Sequence, residues 1–200
     1  EVVGRISVAI SPSDSARAYI QVGDREKDKV YVVLKSTNAG LFWWSGIITP
    51  PVTALSGGKT NYLGQQGTNN ALVVHPTDPD IVWAGGIFLM RTSDGGETWD
   101  DVGATGAAPR LVHPDIEVLK YVDANTLVVG CHGGIFSTTD EGVSWKSDIN
   151  KALPITQFYN TDVQRNGGVV KTGGTQDNSL SATSVADPDS WLIYSNGDGI

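Results

Sequence analysis

Three short phrases of this sequence repeat hydroxyl, carboxylate or amide, glycine and tryptophan residues at one fixed spacing. Each has a Ser or Thr two residues before an Asp or Asn, a Gly two residues after it and a Trp five residues after it. The residues at these positions are Ser36, Asn38, Gly40 and Trp43, then Thr92, Asp94, Gly96 and Trp99, then Thr138, Asp140, Gly142 and Trp145. Repeated carboxylates beside hydroxyl groups could serve acid–base catalysis. They also suit a tight turn, because Asp or Asn accepts hydrogen bonds from nearby backbone N–H groups and Gly takes a positive φ. We therefore predict a structural role for all three phrases.

Cys131 and His132 are a second group of residues with possible chemistry. A thiol beside an imidazole could hold a soft metal ion, or the two could act as nucleophile and base. Cys131 is the only cysteine, and no other histidine lies near His132 in the sequence. We therefore predict that Cys131 ends a buried strand, that His132 caps a turn and that the chain binds no metal or cofactor.

The elements that must position these residues are short β-strands in four groups. Runs of Val, Ile and aromatic residues bounded by Gly, Pro, Asn or Asp predict four strands in each group, and no segment has a sustained helical period. The groups span approximately residues 1–48, 68–101, 108–147 and 155–196. We predict that residues 1–200 form one region without a linker or a second domain.

Three dipeptides that contain proline recur between these strands. We predict that each follows the first strand of its group, and they are Ser11–Pro12, His75–Pro76 and His113–Pro114. In the third group this prediction places the first strand at Leu111–Val112. The agreement of the proline positions supports an internal repeat.

Composition and charge exclude several classes of function. The net charge of −8 argues against a nucleic-acid partner, because such sites need clustered Lys and Arg. No apolar run approaches the roughly 20 residues of a membrane span. The 24 glycines suit many tight turns, and the single cysteine allows no internal disulfide.

The repeated phrase resembles the Asp-box, also called the BNR repeat, whose pattern is S/T-x-D-x-G-x-T-W. The second copy, which ends at Trp99, matches every position of this pattern. The third differs only in Ser144 for Thr, whereas the first has Asn38 for Asp and Phe42 for Thr. The first phrase is therefore a degenerate box.

Two further runs, Leu153–Tyr159 and Gly173–Asn178, are similar to a secreted bacterial subfamily of these repeat proteins, with sortilin-like and xyloglucanase-like members. The resemblance implies an all-β fold, namely a β-propeller built of four-stranded antiparallel blades. About four blades are visible, and the resemblance implies a larger ring of six to eight. The missing blades would come from the rest of the same protein or from another chain. An extracellular or periplasmic location is implied as well.

The resemblance also places the boxes on one rim of the propeller and function on the opposite rim. Carboxylates, amides and glycines on that rim suit a sugar, whose hydroxyl groups need donors and acceptors. The binding candidates that this geometry selects are Gln65, Gln66, Asn69, Asn70, His132, Gln176 and Asn178. The catalytic candidates are Asp24, Asp177 and Asp198.

Two functions from different classes remain open at this point. The first is a binding or scaffold module for a glycan or a protein. The alternative is a xyloglucanase-like glycoside hydrolase, in which one carboxyl group acts as acid and another as base. No motif singles out a catalytic pair, so we expect the binding function.

Overall fold

The computed structural model of the chain describes residues 2–27, 29–44, 64–102, 111–152, 156–164, 170–176, 179–194 and 198–199. The catalytic candidate Asp177 and the binding candidate Asn178 lie outside these ranges. The chain divides into two compact units, Glu1–Asn150 and Lys151–Ile200, which we call unit 1 and unit 2. The prediction of a single region stays a prediction, and each unit is described by itself.

Unit 1 contains three antiparallel sheets in chain order. Sheet 1 has the order β1 (Val3–Ile10), β2 (Ala18–Asp24) and β3 (Lys29–Ser36). Sheet 2 has the order β4 (Ala71–Val74), β5 (Val82–Gly85), β6 (Leu89–Thr92) and β7 (Asp100–Asp101). Sheet 3 has the order β8 (Ile116–Tyr121), β9 (Leu127–Cys131) and β10 (Gly134–Thr138). Single bridges from Lys35 to Trp44 and from Ser137 to Lys146 stand in the place of a fourth strand in sheets 1 and 3.

Unit 2 contains one four-stranded antiparallel sheet, which we call sheet 4. Its strands are β11 (Phe158–Val163), β12 (Lys171–Thr175), β13 (Leu180–Ala182) and β14 (Leu192–Ile193), paired in that order. A single turn of 3₁₀-helix at Asp148–Ala152 is the one helical element in the described residues. The predicted all-β class with four antiparallel sheets is confirmed. Sheets 2 and 4 have the four strands predicted for each group, whereas sheets 1 and 3 have three strands and a single bridge.

Sheet 2 lies between sheets 1 and 3 and packs on both of them. One core joins Tyr19 and Val33 of sheet 1 to Val82, Met90 and Trp99 of sheet 2. A second core joins the opposite face of sheet 2, including Trp83 and Leu89, to Ile116, Leu127 and Val129 of sheet 3. All four residues of β5 are buried for this reason. The burial of apolar surface between successive sheets is the main stabilising contribution in this unit.

Sheet 1 has an apolar face that unit 1 leaves exposed. Ile6, Val8 and Ile10 alternate along β1 and are 51%, 59% and 64% exposed. Val8 pairs with Ile20, which pairs with Leu34, so the exposed row continues across the sheet as partly buried aliphatic side chains. The other face of the sheet, with Tyr19 and Val33, is the one that packs on sheet 2.

The prediction for the start of the third group is wrong. Leu111 and Val112 lie in a bend before sheet 3, and the first strand is β8, Ile116–Tyr121. His113–Pro114 therefore precedes the first strand instead of following it. Two apolar residues satisfy the local strand pattern, whereas the pairing with β9 selects the longer run Ile116–Tyr121, in which Ile116, Leu119 and Tyr121 pack in the core.

The other two proline turns are equivalent, as predicted. The Ser11 hydroxyl accepts from the backbone N–H of Asp14 at 3.2 Å, and Nδ1 of His75 accepts from the N–H of Asp78 at 3.2 Å. His75 therefore takes the place of a serine in the turn between β4 and β5. Its ring nitrogen acts there as an acceptor, which places the ring proton on Nε2.

Candidate functional site

The three repeated phrases form turns that are held by hydrogen bonds to the Asp or Asn side chain. In the second phrase, Asp94 Oδ1 accepts from the Thr92 hydroxyl at 2.7 Å and from the N–H groups of Glu97 and Thr98 at 2.9 and 3.0 Å. Asp94 Oδ2 accepts from the Thr98 hydroxyl at 2.5 Å. Burial by itself would raise the pKa of Asp94, but these hydrogen bonds outweigh it and hold the pKa well below its usual range.

The third phrase repeats this geometry around Asp140. Its oxygens accept from the Ser144 hydroxyl at 2.5 Å, from the Ser144 N–H at 2.9 Å and from the Thr138 hydroxyl at 2.7 Å. The bonds from Ser144 make the largest contribution in lowering the pKa of Asp140 to about 2. Carboxylates held this firmly in the ionised state are unsuited to act as general acids near neutral pH.

The first phrase keeps the turn with fewer hydrogen bonds. Asn38 Oδ1 accepts from the Ser36 hydroxyl at 3.1 Å and from the Phe42 N–H at 2.8 Å. Phe42 has no hydroxyl to donate, and Asn38 has no second oxygen to accept. The bond from the Thr98 hydroxyl to Asp94 Oδ2 in the second phrase therefore has no counterpart in the first, because Phe42 lacks its donor and Asn38 lacks its acceptor.

Antiparallel pairing places these turns at one edge of each sheet and the candidate residues at the other. In each sheet, the start of the first strand, the end of the second and the start of the third lie side by side. We call this set of strand ends the rim edge. The three turns join the third strand to the fourth position, so they lie at the opposite edge, which we call the box edge. The turn between the second and third strands, where Asp24 and His132 lie, belongs to the rim edge.

At the rim edge, the first strand carries a register shift in three of the four sheets, counting the described residues. In sheet 1 the shift falls between Val3 and Ile6 and sets apart Gly4 and Arg5. In sheet 3 it falls on Glu117, between Ile116 and Val118. In sheet 4 it falls on Tyr159, between Phe158 and Asn160. Such β-bulges redirect side chains relative to the regular alternation of a strand.

Tyr159 and Asp198 meet at the rim edge of sheet 4. The Tyr159 hydroxyl donates to Asp198 Oδ1 at 3.3 Å, and the Tyr159 side chain is 48% exposed. Gln176 directly follows β12 at the same rim edge. Its backbone N–H donates to the carbonyl of Gln157, which precedes β11, at 2.9 Å. Two candidates predicted from the sequence, Asp198 and Gln176, therefore lie at the rim edge of one sheet, together with an aromatic ring.

Two glycines allow the Asp198 segment to lie against β12. The Gly199 N–H donates to the carbonyl of Thr175 at 2.9 Å. A Cβ on Gly174 would meet the backbone carbonyl of Gly199, and a Cβ on Gly199 would lie 2.8 Å from the N of Thr175. This close backbone approach requires glycine at both positions.

A cavity of about 330 Å³ opens at the rim edge of sheet 1. Its walls are Val3, Gly4 and Arg5 from β1, Gly23, Asp24 and Arg25 from the end of β2, and Gln66 and Gly67 from the segment before β4. The Arg5 guanidinium donates to the carbonyl of Thr68, and the Arg25 N–H donates to the carbonyl of Val2 at 2.9 Å. The β-bulge in β1 thus places Arg5 in the wall of a cavity.

Asp24, a catalytic candidate, closes the turn between β2 and β3. It is 3% exposed, and its Oδ1 accepts from the N–H groups of Glu26 and Lys27 at 2.9 and 3.0 Å. The Lys27 ammonium lies 3.4 Å from its Oδ2. The hydrogen bond from the Lys27 backbone is the largest of the interactions that lower the pKa of Asp24.

The amide candidates Gln66, Asn69 and Asn70 are buried and link neighbouring sheets. Gln21 of β2 donates to Gln66 Oε1 at 2.9 Å, and Gln66 donates to the carbonyl of Asn69 at 3.0 Å. Asn69 donates to Asp115 Oδ1 at 2.8 Å, and Asn70 donates to the carbonyl of Arg5 at 3.1 Å. Gln65 alone of this group is exposed, and its Oε1 accepts from Asn69 at 3.0 Å. A binding role for these amides stays a prediction, while their bonds give them a structural one.

His132 lies between two carboxylates at the rim edge of sheet 3. Its Nδ1 is 3.8 Å from Asp115 Oδ2, and its Nε2 is 3.5 Å from Glu117 Oε1. Its neighbour Cys131 ends β9, where burial raises the pKa of the thiol to about 11. The thiol is therefore protonated near neutral pH and is a poor nucleophile.

A second cavity, of about 390 Å³, lies at the box edge between sheets 2 and 3. It is lined by His75, Arg91, Asn125 and the turn residues 139–141 and 143. Arg91 pairs with Glu141 and lies over the Trp83 ring, 5.7 Å from its centroid. Arg91 and Glu141 on this wall are thus paired with each other.

Sequence reasoning did not select Arg5 or Tyr159 as site residues. A register shift between two paired strands distinguishes each of these residues, and the sequence of one strand alone does not show such a shift. In the described part of the chain, no three His, Cys, Asp or Glu side chains are grouped so as to hold a metal ion. Among the same residues, no helix is long and apolar enough to cross a membrane.

Comparisons with known proteins concern the fold. No family model and no curated protein matches this chain. A solved GH74 enzyme from Niastella koreensis aligns with 95% of the chain at 19% identity and a TM-score of 0.51, and the chain covers 29% of that structure. The GH74 xyloglucanase from Xanthomonas campestris aligns with 96% of the chain at 18% identity and a TM-score of 0.51, with 32% of that structure covered. The class defined by these likenesses and by the four sheets is the β-propeller. The chain spans about a third of the length of these two structures.

Proposed function

We propose that this chain is part of an extracellular or periplasmic Asp-box propeller that binds a glycan at the rim edge of its sheets. The observation that carries the proposal is the pairing of Tyr159 with Asp198. A half-exposed aromatic ring and an exposed carboxylate lie together there, beside the strand ends that carry Gln157 and Gln176.

This combination of groups suits a sugar. An aromatic ring packs against the C–H face of a pyranose, while carboxylate and amide groups exchange hydrogen bonds with its hydroxyl groups. The β-bulge at Tyr159 supports the assignment, since it redirects the ring at the strand end where Asp198 lies. Glycan binding would then use the face of Tyr159 and the oxygens of Asp198.

The state of Asp24 favours binding over hydrolysis. A glycoside hydrolase needs two carboxyl groups across the substrate, one of which stays protonated to act as acid. Asp24 is instead engaged by turn amides and Lys27, with a lowered pKa. The similarity to two GH74 enzymes keeps a xyloglucanase-like activity as the alternative, with Asp198 as its exposed candidate.

Calorimetric titration of the complete protein with β-glucan oligosaccharides tests this proposal. We expect Tyr159→Ala to weaken binding roughly tenfold through loss of the stacking surface. Tyr159→Phe, which keeps the ring, should retain most of the affinity. Val163→Ala, at the other end of β11, is the matched control and should bind as the parent does. Equal affinity of all four proteins would refute the site, and turnover of the glucan that is lost in Asp198→Asn would favour the hydrolase.

We propose further that another blade covers the exposed face of sheet 1. Trp99 of sheet 2 packs in the core beside Tyr19 of sheet 1, and Trp145 of sheet 3 packs against Trp83 of sheet 2. In both cases the tryptophan that ends a box packs on the second strand of the preceding sheet. By this rule Trp43 and the row Ile6, Val8 and Ile10 would meet the second strand of a further blade. That blade belongs to the rest of the same protein or to another chain.

Substitution of Val8 by Lys in the complete protein tests the covering blade. A lysine forced under a packed sheet loses hydration, so we expect the free energy of unfolding to fall by more than about 2 kcal/mol. Ser15→Lys adds the same charge at an exposed position of the β1–β2 turn and should leave stability unchanged. Equal stability of the two variants would show that the face is open to water.

A further inference from the structure

The cavity at the rim edge of sheet 1 has two arginines in its wall, Arg5 and Arg25. Within the described residues the Arg25 guanidinium makes no ion pair and no hydrogen bond, and it is exposed. Arg5 is also exposed, and in the described part of the chain the one hydrogen bond of its guanidinium goes to the neutral carbonyl of Thr68. Both guanidinium groups therefore keep donors available for a ligand.

The carboxylate in the same wall does not compensate these charges. Both Asp24 oxygens are engaged, Oδ1 by the Glu26 and Lys27 N–H groups and Oδ2 by the Lys27 ammonium at 3.4 Å. Its charge is balanced by that of Lys27, which leaves the cavity with the positive charge of Arg5 and Arg25. The positive charge of this wall contrasts with the net charge of −8 of the whole chain.

The backbone segments around the cavity approach each other closely. A Cβ on Gly23 would come within 2.8 Å of Gln66 Cβ, and a Cβ on Gly4 would lie 3.2 Å from the N of Arg25. Glycine at these positions lets β1, β2 and the segment before β4 approach each other closely. The β-bulge at Gly4 and Arg5 lies at the same place, so the main chain itself shapes this wall.

We propose that this cavity binds an anionic group, a carboxylate or sulfate, carried by an acidic glycan. Arginine recognises such groups through paired N–H donors in a planar fork. The anionic character of the ligand follows from Arg5 and Arg25, whereas the choice of a glycan rests on the proposed function. The volume of about 330 Å³ is of the size that holds one sugar residue with its charged substituent.

Titrations of the complete protein with four probes test the inference. The probes are an oligogalacturonate, a sulfated oligosaccharide, a neutral β-glucan oligosaccharide and an oligoglutamate peptide. We expect at least one of the two acidic saccharides to bind, and Arg25→Gln and Arg5→Gln each to weaken it about tenfold or more. The affinity should fall as salt is raised. Lys120→Gln removes one exposed positive charge from β8 and should have no effect. Thermal unfolding of each variant checks that Arg5→Gln keeps the fold. Arg25→Gln is the cleaner substitution, because the Arg25 guanidinium has no hydrogen bond to the described residues.

The outcomes separate this inference from the proposed function. Loss of acidic-saccharide binding in Arg25→Gln, with neutral β-glucan binding unchanged and still dependent on Tyr159, supports both. Unchanged binding of both acidic saccharides in Arg25→Gln overturns the anion site, and the Tyr159 result then decides the proposed function alone. Arginine-dependent binding of oligoglutamate, without binding of either acidic saccharide, overturns the glycan in favour of an acidic peptide.

Discussion

Inside unit 1, the side-chain amide of Asn69 donates to the carboxylate of Asp115 across 2.8 Å. Asn69 is completely buried and Asp115 is 8% exposed, so the bond is shielded from water. It is the last link of a chain of amides that begins at Gln21 of β2 and passes through Gln66. Side-chain hydrogen bonds thus connect all three sheets of the unit near their rim edge, in addition to the apolar cores.

Replacement of Asn69 by Ala should lower the free energy of unfolding by about 1.5–3 kcal/mol. The substitution removes a hydrogen bond to a charged group and leaves the Asp115 carboxylate buried without that donor. Urea unfolding followed by tryptophan fluorescence measures the change. Asn125→Ala, at an exposed asparagine, is the control and should stay within about 0.5 kcal/mol of the parent. A cost at Asn69 no larger than the control would contradict the importance of the amide chain.

Trp83 should be one of the most sensitive core positions. Its ring is fully buried, packs edge-on against Trp145 with centroids 6.2 Å apart, and donates from Nε1 to the Tyr121 hydroxyl at 2.8 Å. We expect Trp83→Ala to cost about 3–5 kcal/mol and Trp83→Phe to cost less, since a ring remains. Trp44→Phe, at a residue 59% exposed, serves as the matched control. Chemical denaturation of the three variants orders them, and an order with Trp44→Phe as the most damaging would be inconsistent with the packing described.

The second and third box turns should make folding stability depend on acid pH. The pKa values of Asp94 and Asp140 are lower in the folded chain than their ordinary value of 3.8, and that of Asp140 is about 2. A lowered pKa contributes stability above the unfolded value, and this contribution is lost as pH falls through the folded value. For Asp140 the loss therefore occurs between about pH 3.8 and pH 2.

Thermal unfolding of Asp140→Asn across this pH range checks the sign. Above pH 4 the variant should unfold at a lower temperature than the parent, and the difference should shrink as the parent carboxylate becomes protonated. Asn38→Asp is the converse control, because it introduces a carboxylate into the first turn. That turn has Phe42 in place of the hydroxyl residue that bonds the second carboxylate oxygen in the other turns. A gap between parent and Asp140→Asn that stays constant down to pH 2 would contradict the assigned hydrogen bonds.

Gly174→Ala should impair the Tyr159–Asp198 site without touching either residue. The new Cβ would collide with the carbonyl of Gly199 and displace the segment that carries Asp198. We expect weaker binding of β-glucan oligosaccharides by about tenfold or more, together with lower stability. Gly130→Ala in β9 is the matched control, since Gly130 also faces the residue that follows a register shift, and its Cβ would lie 3.4 Å from Val118. Binding by Gly174→Ala that equals binding by Gly130→Ala would argue against Asp198 as a contact.

The sequence predicts those parts of the fold that depend on local interactions. The all-β class follows from short runs bounded by turn residues, and the atoms that bond Asp94 all lie within four residues of it. Leu111–Val112 shows the limit, because two apolar residues satisfy the local pattern while the sheet pairs a different segment. Pairing with β9 decides which segment becomes the first strand of sheet 3, and β9 lies more than ten residues beyond Leu111–Val112 in the chain.

The site was less predictable because it depends on register and burial. Arg5 and Tyr159 become site residues through a shift between two strands, and neither strand alone records that shift. Gln66 and Asn69 are polar and precede a strand, which suggests an exposed loop, yet their amides are used to connect sheets. Asp24 was selected for its position at the rim edge, whereas the turn amides that engage it depend on the backbone conformation of the following residues.

The bulges at the start of β1, β8 and β11 place side chains of different chemistry at equivalent positions of three sheets. One matched location, defined by backbone pairing alone, holds an arginine in the first sheet, a glutamate in the third and a tyrosine in the fourth. Because strand pairing sets the location, substitutions at these three residues can change charge and shape while the hydrogen bonds of the sheets stay in place. A library that varies Arg5, Glu117 and Tyr159 would therefore diversify the charge and shape at each of these strand ends while the scaffold stays constant.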